Sequence, residues 1–212
     1  MRKNFIFLIL LFTVLKLNIV EGQSKYFRRS EPETTFGIKA GVNLANQSSP
    51  GNDGVFDSKS ILLFHVGGYY SYRFSQFFII QPELILSGKG SRWSDIYDDK
   101  KDIITYLDLP VMLKYQPLKN FNFQLGIQPG YALKVLQKDL KEGVSSDLAY
   151  AYNKLDLGIT GGIEAFLQPR LKLTIRYVRG IKSATNDEYY DFKCFNNFLQ
   201  FSVSYRISGE NK

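Results

Sequence analysis

The stretch that decides the fold is residues 121–135, FNFQLGIQPGYALKV. Phe121, Phe123 and the other odd-numbered positions except Pro129 are apolar, from Leu125 to Val135. The even positions are Asn, Gln, Gly, Ala and Lys, ending at Lys134. Strict alternation sorts these two sets onto opposite faces of a β-strand, whereas a helix would mix them. The stretch therefore predicts a strand with one apolar and one polar face.

The same alternation recurs along the chain and predicts eight strands, at residues 36–45, 61–74, 77–89, 103–116, 121–135, 154–167, 171–177 and 199–207. The connections alternate between tight turns and long polar loops. The turns are residues 74–76, 117–120 and 168–170, and the loops are residues 46–60, 90–102, 137–152 and 182–195. Short turns on one rim and long loops on the other are typical of an up-and-down transmembrane β-barrel. We predict an all-β fold, an eight-stranded antiparallel transmembrane barrel over residues 36–207.

The strands of a soluble ligand-binding barrel also alternate between apolar and polar residues. The residue types in the set of polar positions must therefore distinguish a soluble barrel from a transmembrane one. That set combines many glycines with charges of both signs, which suits a cramped interior where each buried charge needs a partner. Its charged members are Lys39, Arg73, Glu83, Lys89, Asp108, Lys114, Lys134, Asp156, Glu164, Lys172, Arg176 and Arg206. We expect all except Lys89 and Lys134 to form an interior polar network that fills the lumen and leaves no open pore.

Aromatic residues, 15% of the chain, cluster at the predicted strand ends. Rings beside the short turns predict an aromatic girdle at the periplasmic interface, since transmembrane barrels place such rings there. The predicted members are Phe36, Tyr72, Phe74, Phe78, Tyr115, Phe121, Phe123 and Tyr205. A less regular set near the long loops, which includes Trp93 and Tyr152, is expected to form the opposite belt.

The N-terminus has the pattern of a secretory signal peptide. Two basic residues precede an apolar run at residues 5–15, which is too short to span a bilayer, and a second short apolar patch ends near Gly22. We expect cleavage near Gly22, a flexible periplasmic lead at 23–35, a tail at 208–212, and localisation in the outer membrane.

Prolines interrupt three consecutive predicted strands. Pro82, Pro110 and Pro129 come at similar distances from the short-turn rim. Because proline removes a donor from the ladder, it is normally confined to edges or bulges. We predict a bulge or kink at that height.

Four segments carry a resemblance to a known family. They are residues 37–43 (GIKAGVN), 81–90 (QPELILSGKG), 106–115 (YLDLPVMLKY) and 126–131 (GIQPGY). In these the chain resembles the PorT-like outer-membrane β-barrel family of Bacteroidota, over nearly all of residues 36–207. The resemblance implies a small porin-like barrel, and its namesake implies a link to type IX secretion and gliding, a role that rests on analogy of fold.

Few residues suit catalysis or metal binding. A single cysteine, Cys194, excludes an intramolecular disulfide framework and Cys-cluster zinc sites. His65 is the only histidine and thus the only candidate base, with Ser60 or Ser87 as conceivable partners; an ordinary hydrogen-bonded histidine is the preferred interpretation. The acidic residues between Asp95 and Asp102 lack calcium-loop spacing and predict a solvated loop.

The functional prediction is therefore an integral barrel with a structural or interaction role, without catalytic activity, cofactor or metal. A PorT-type accessory of type IX secretion is the first alternative and a lipid A-modifying enzyme the second. Expected partners are outer-membrane lipid and possible outer-membrane or secretion proteins. The net charge of +7 is spread along the chain without a basic block, so nucleic acid is not expected. A monomer is expected.

Overall fold

The computed structural model describes residues 34–49, 58–94 and 99–208. The predicted signal peptide lies outside the described residues. So do the predicted lead up to residue 33 and the tail from residue 209 onward. Residues 34 and 35, assigned to the lead, belong to the first strand, and Ser208 ends the last one.

Eleven strands and one short 3-10 helix make up the described chain. The strands are β1 (Thr34–Ser48), β2 (Ser58–Lys59), β3 (Ile61–Arg73), β4 (Phe78–Ser94), β5 (Asp99–Asp108), β6 (Val111–Leu118), β7 (Phe121–Asp139), β8 (Ser145–Asp147), β9 (Leu155–Phe166), β10 (Leu171–Gly180) and β11 (Phe195–Ser208). The helix covers Ala149–Ala151. Within the described residues, no helix has the length and apolar character needed to cross a membrane.

The strands close into a barrel whose wall has eight antiparallel strand positions, which we call staves. Its order is β3, β1, β11, β10, β9, β7, then β5 with β6, then β4, which returns to β3. The closing seam joins the first and last strands, with Ile38 opposite Tyr205. β5 and β6 together form one stave, because both pair with β4 and with β7. The predicted eight-stranded antiparallel barrel is confirmed.

The apolar side chains of the barrel point outward. Phe64 is 73% exposed and Leu125 63%, whereas the charged Lys39 is 2% exposed and Arg176 is fully buried. A soluble barrel would show the reverse distribution, because water would cover its polar face. The alternation predicted from the sequence thus runs in the membrane-protein sense.

The prolines lie together on three neighbouring strands. The stave made of β5 and β6 breaks at Leu109–Pro110, between these two strands. Around the break, Glu83 N donates to Pro110 O at 2.8 Å and Leu109 N donates to Pro129 O at 2.9 Å. Interstrand bonds therefore continue across this break, although proline itself supplies no N–H. The register is the same on both sides of the break, from Ile85–Asp108 to Pro82–Val111, so the irregularity predicted at this height is a strand break without a bulge.

A β-bulge near the long-loop end reverses the facing of one segment. Thr105 pairs with Lys134 but Tyr106 pairs with Ala132, so β7 carries one extra residue there. Beyond the bulge Val135 is buried and Lys134 is exposed. The predicted placement of these two residues is wrong, because an extra residue flips every side chain that follows it.

Candidate functional site: the polar interior of the barrel

The lumen near the short turns holds a cluster of four cations around two carboxylates, which we call the short-turn cluster. Arg176 reaches Glu83 with two hydrogen bonds, Nη2 to Oε1 at 2.6 Å and Nη1 to Oε2 at 2.8 Å. Lys39 Nζ lies 2.7 Å from the same Glu83 Oε1. Counted around the ring, β10 and β4 are opposite staves, so the Arg176–Glu83 pair crosses the lumen.

The second carboxylate of the short-turn cluster is Glu164. Lys114 Nζ lies 2.9 Å from each of its oxygens, and Lys172 Nζ lies 3.7 Å from Oε1. Asn122 Nδ2 donates to Oε1 at 2.9 Å and Thr174 Oγ1 to Oε2 at 3.1 Å. Each carboxylate of the cluster thus accepts bonds from more than one strand, and charge-assisted bonds of this kind are the stronger ones.

Further along the lumen, toward the long loops, carboxylates outnumber cations. In this mid-barrel cluster Lys89 Nζ lies 2.8 Å from both Asp108 Oδ1 and Asp156 Oδ2. The ring of Tyr106 faces the ammonium group, with 4.3 Å from Nζ to the ring centroid. A Cβ atom at Gly130 would lie 2.2 Å from Asp108 Oδ1, so a glycine is needed there to leave room for the pair.

The buried charges balance in number but not in position. Among the described residues, five buried cations face five buried carboxylates, Lys39, Lys89, Lys114, Lys172 and Arg176 against Glu83, Asp102, Asp108, Asp156 and Glu164. The short-turn cluster has two cations in excess, while the mid-barrel cluster and Asp102 have carboxylates in excess. The filling of the lumen is therefore electrically polarised along the barrel.

The long-loop end of the lumen is closed by a roof built around Asp102. Its carboxylate accepts hydrogen bonds from Trp93 Nε1, Gln137 Nε2 and Tyr152 Oη, each at 2.9 Å. Apolar residues pack beside it, namely Ile104, Tyr106, Val135, Ala151, Tyr152 and Ala184. Because three neutral donors satisfy Asp102, the carboxylate is buried without an ion-pair partner among the described residues.

This roof corrects several sequence-based assignments. Asp102 was expected in a solvated loop, but it is buried on β5. Asp99 is paired with Arg92, and Asp95 and Asp98 lie outside the described residues. Trp93 and Tyr152, expected in an outer aromatic belt, donate inward to Asp102 instead. Alternation alone does not reveal the roof, because the 3-10 helix and the bulge that build it have no period of two.

The structure brings together eight of the ten residues predicted for the interior network. They are Lys39, Glu83, Asp108, Lys114, Asp156, Glu164, Lys172 and Arg176. Arg73 lies at the short-turn rim, where it donates to Gln76 O at 3.1 Å and to Gln116 Oε1 at 2.5 Å. Arg206 is half-buried near the same rim, opposite Gly37 in the ladder. Lys89, left out of the predicted network, is the centre of the mid-barrel cluster.

His65 is a buried side chain on β3 whose Nε2 lies 2.9 Å from Ser202 Oγ. Ser202 is not one of the partners considered from the sequence. Ser87 is the ladder neighbour of His65, but its hydroxyl accepts a bond from Asn43 at 2.9 Å. Within the described residues no carboxylate hydrogen-bonds to His65, so the arrangement lacks the third member of a catalytic triad.

The predicted girdle residues lie near the short-turn end, and five of them form ring contacts with one another. Ring centroids are 5.4 Å apart for Phe78 and Tyr115, 6.2 Å for Phe74 and Phe78, and 4.9 Å for Phe121 and Phe123. Phe121 is half-buried, and the other members are exposed, namely Phe36, Tyr72, Phe74, Phe78, Tyr115, Phe123 and Tyr205.

Loop residues at the roof are shielded from water. Burial raises the pKa of the Cys194 thiol to about 12. Burial also raises the pKa of Tyr152 well above its usual value, and the neighbouring Asp102 carboxylate adds to that rise. Both groups therefore stay protonated at neutral pH, which for Cys194 means an unreactive thiol.

Comparison with known proteins identifies the same architecture. A family profile described as outer membrane protein beta-barrel domain matches residues 23–186. No curated protein sequence matches the chain.

Several solved structures resemble the barrel, and Ail and Neisserial surface protein A are two of them. Ail, the attachment invasion locus protein of Yersinia pestis, in complex with the heparin analogue sucrose octasulfate, is 12% identical with a TM-score of 0.51, covering 84% of this chain and 99% of its own. Neisserial surface protein A is 14% identical with a TM-score of 0.52, covering 81% and 97%. At these identities the likeness shows the fold.

Proposed function

Because the chain belongs to the outer membrane protein β-barrel domain family, we propose that it is an integral outer-membrane barrel with a structural or interaction role and a lumen closed to ions. The observation that carries this proposal is the Arg176–Glu83 pair, which crosses the lumen between opposite staves. In a barrel of eight strands the side chains fill the interior, and here they are tied to each other by buried ion pairs.

The orientation follows from the connections. The short turns, the start of β1 and the end of β11 lie at one rim, which we assign to the periplasm together with the aromatic girdle. The roof and the long loops then face outward. Export by a signal peptide cleaved near Gly22 completes this proposal, and a monomer fits a ring that closes on itself and leaves no strand edge between β1 and β11.

Conductance across a planar bilayer tests the closed lumen. The purified barrel should insert and show no steady open channel. A Glu83→Ala/Arg176→Ala variant removes the pair that crosses the lumen, and it should show brief current steps. A Glu142→Ala/Arg179→Ala variant is the matched control, since both side chains are exposed, and it should remain silent. A large steady conductance of the unmodified barrel would overturn the proposal.

A PorT-type accessory role is the finer proposal. It is supported by the four sequence segments that resemble that family. Deletion of the gene should then block export of type IX cargo, and the barrel should co-purify with the secretion machinery. Normal cargo export in the deletion strain would leave the general structural or interaction role.

We propose that the barrel has no enzymatic activity. The support is that His65 is hydrogen-bonded to Ser202 and not to Ser87, and that no carboxylate among the described residues is its partner. Lipid A from a His65→Ala strain and from a deletion strain should match that of the parent strain in mass spectra. An acylation change in both strains would favour the lipid A-modifying alternative.

A further inference from the structure

A row of four basic residues crosses the sheet near the long-loop end. The ladder places Lys59 of β2 opposite Arg92 of β4, Arg92 opposite Lys101 of β5, and Lys101 opposite Lys138 of β7. Neighbouring strands lie about 4.8 Å apart, so the row spans about 14 Å across the sheet. We call these four residues the basic row.

The basic row faces outward. Ser91, Asp102 and Gln137 precede or follow the row by one residue on their strands, and their side chains bond to partners inside the barrel. Successive side chains of a strand point to opposite faces. Arg92, Lys101 and Lys138 therefore lie on the outer wall of the barrel.

The basic row is unfavourable unless something compensates it, because like charges placed directly opposite in a ladder repel each other. Arg92 is neutralised by Asp99, with Nε 2.7 Å from Oδ1. Among the described residues, neither Lys101 nor Lys138 forms an ion pair. The acidic side chain on the neighbouring β8, Asp147, accepts a bond from Ala149 N at 2.9 Å.

The basic row lies just beyond the apolar band of the wall. Ile103 and Leu136, both half-buried, are the next outward positions toward the membrane. Thr105 and the exposed Lys134 follow at the bulge, and the exposed Leu107, Leu133 and Tyr131 come after them. Lys101 and Ile103 are two residues apart, so the row stands about 7 Å above the first apolar layer. Lipid headgroups occupy the region that borders the hydrocarbon core.

We infer that the basic row binds phosphate groups of the lipid headgroups that surround the barrel in the outer leaflet. The proposal rests on the proposed function, because only an inserted barrel brings the row to that depth. Lysine binds phosphate as a compact charge with three donors. Headgroup phosphates would supply the negative charge that Lys101 and Lys138 lack within the described chain.

Nanodiscs test this inference. The barrel is inserted into phosphatidylcholine nanodiscs with and without diphosphoryl lipid A, and retained lipid A is measured after exchange against lipid A-free vesicles. A Lys101→Gln/Lys138→Gln variant should retain lipid A about 30-fold more weakly, at roughly 1 kcal/mol for each basic residue near a charged lipid surface. A Lys101→Arg/Lys138→Arg variant should bind as the parent does.

Lys182→Gln/Lys193→Gln is the matched control, since it removes the same charge from exposed loop positions at the same end. Equal weakening by this control, or full retention by the Lys101/Lys138 variant, would overturn the inference. Displacement of lipid A by millimolar inorganic phosphate would also overturn it, in favour of a free-phosphate site. Failure of the barrel to insert into any nanodisc would instead contradict the proposed function.

Discussion

The short-turn cluster and the mid-barrel cluster use the same chemistry with opposite surpluses. In the first, two carboxylates are shared by four cations, and in the second one ammonium group holds two carboxylates. Losing one partner from a crowded set leaves the others paired, whereas losing the single shared partner leaves both of its neighbours unpaired. An unpaired buried charge is far more costly than a lost bond between paired ones. The contribution of a buried charged residue to the free energy of unfolding therefore depends more on how many partners its neighbours have than on its own charge.

The largest effect is expected at Lys89. Lys89→Met strands Asp108 and Asp156 beside each other without their shared cation. We expect a loss of about 3–5 kcal/mol in the free energy of unfolding, measured by urea titration in lipid vesicles. Adding Asp108→Asn and Asp156→Asn to the same chain should recover most of that loss. An equal loss in the triple variant would show that packing, and not charge, dominates the cluster.

A smaller effect is expected at the glycine that makes space for the same cluster. Gly130→Ala places a Cβ 2.2 Å from Asp108 Oδ1, so the carboxylate must move away from Lys89. We expect a loss of about 1–3 kcal/mol, comparable to overpacking a tight interior. Gly161→Ala is the control, since its nearest neighbour is a flexible leucine atom at 3.7 Å. Similar losses at both sites would contradict a specific role for Gly130.

In the roof, burial affects the Cys194 thiol, which is neutral at pH 7. The pKa of Cys194 is raised from 9.0 to about 12, so the unfolded thiol ionises first and stability falls as pH rises through this interval. By pH 10 this contribution should amount to about 1.4 kcal/mol. It is read as the difference between the parent and Cys194→Ala in their unfolding free energies from pH 7 to 10. A difference that stays constant over this range would refute it.

The smallest effect is expected at Lys172. Its ammonium group lies 3.7 Å from Glu164, which Lys114 binds at 2.9 Å. Lys172→Met removes one surplus cation, leaves Glu164 paired with Lys114 and keeps an apolar side chain beside the rings of Tyr69 and Phe166. The free energy of unfolding should therefore change by less than about 1 kcal/mol. Urea titration of this variant beside Lys89→Met measures the asymmetry of the two clusters directly. A loss at Lys172 as large as at Lys89 would contradict the comparison on which these predictions depend.

Much of the barrel could be predicted from the sequence, because strand alternation is a local property. Residues 121–133 alternate as predicted, and the polar residues of the same parity on other strands, such as Lys39 and Glu83, are buried. The sequence does not indicate which charged residues pair with each other. Lys89 and Asp156 are 67 residues apart, and no local pattern indicates which of several carboxylates an ammonium group will meet.

The roof escaped prediction for a different reason. One extra residue at the bulge moves Val135 inward and Lys134 outward, and Asp102 is satisfied by neutral donors from three segments. Neither event changes the composition or the spacing of charges along the chain. The basic row depends likewise on the register of four strands, so it becomes visible when those strands are aligned.

The pair that crosses the lumen has a consequence for how the barrel is made. Glu83 and Arg176 are 93 residues apart in sequence and lie on opposite staves, so they meet when the sheet has curled far enough to bring β4 and β10 face to face. Before that moment their charges need water. A flat, half-built sheet is thus poorly suited to hydrocarbon on its polar face, and lipid insertion becomes favourable as the ring closes. The ion pair can therefore form once the ring is closed, and the same closure removes the polar face of the sheet from the hydrocarbon.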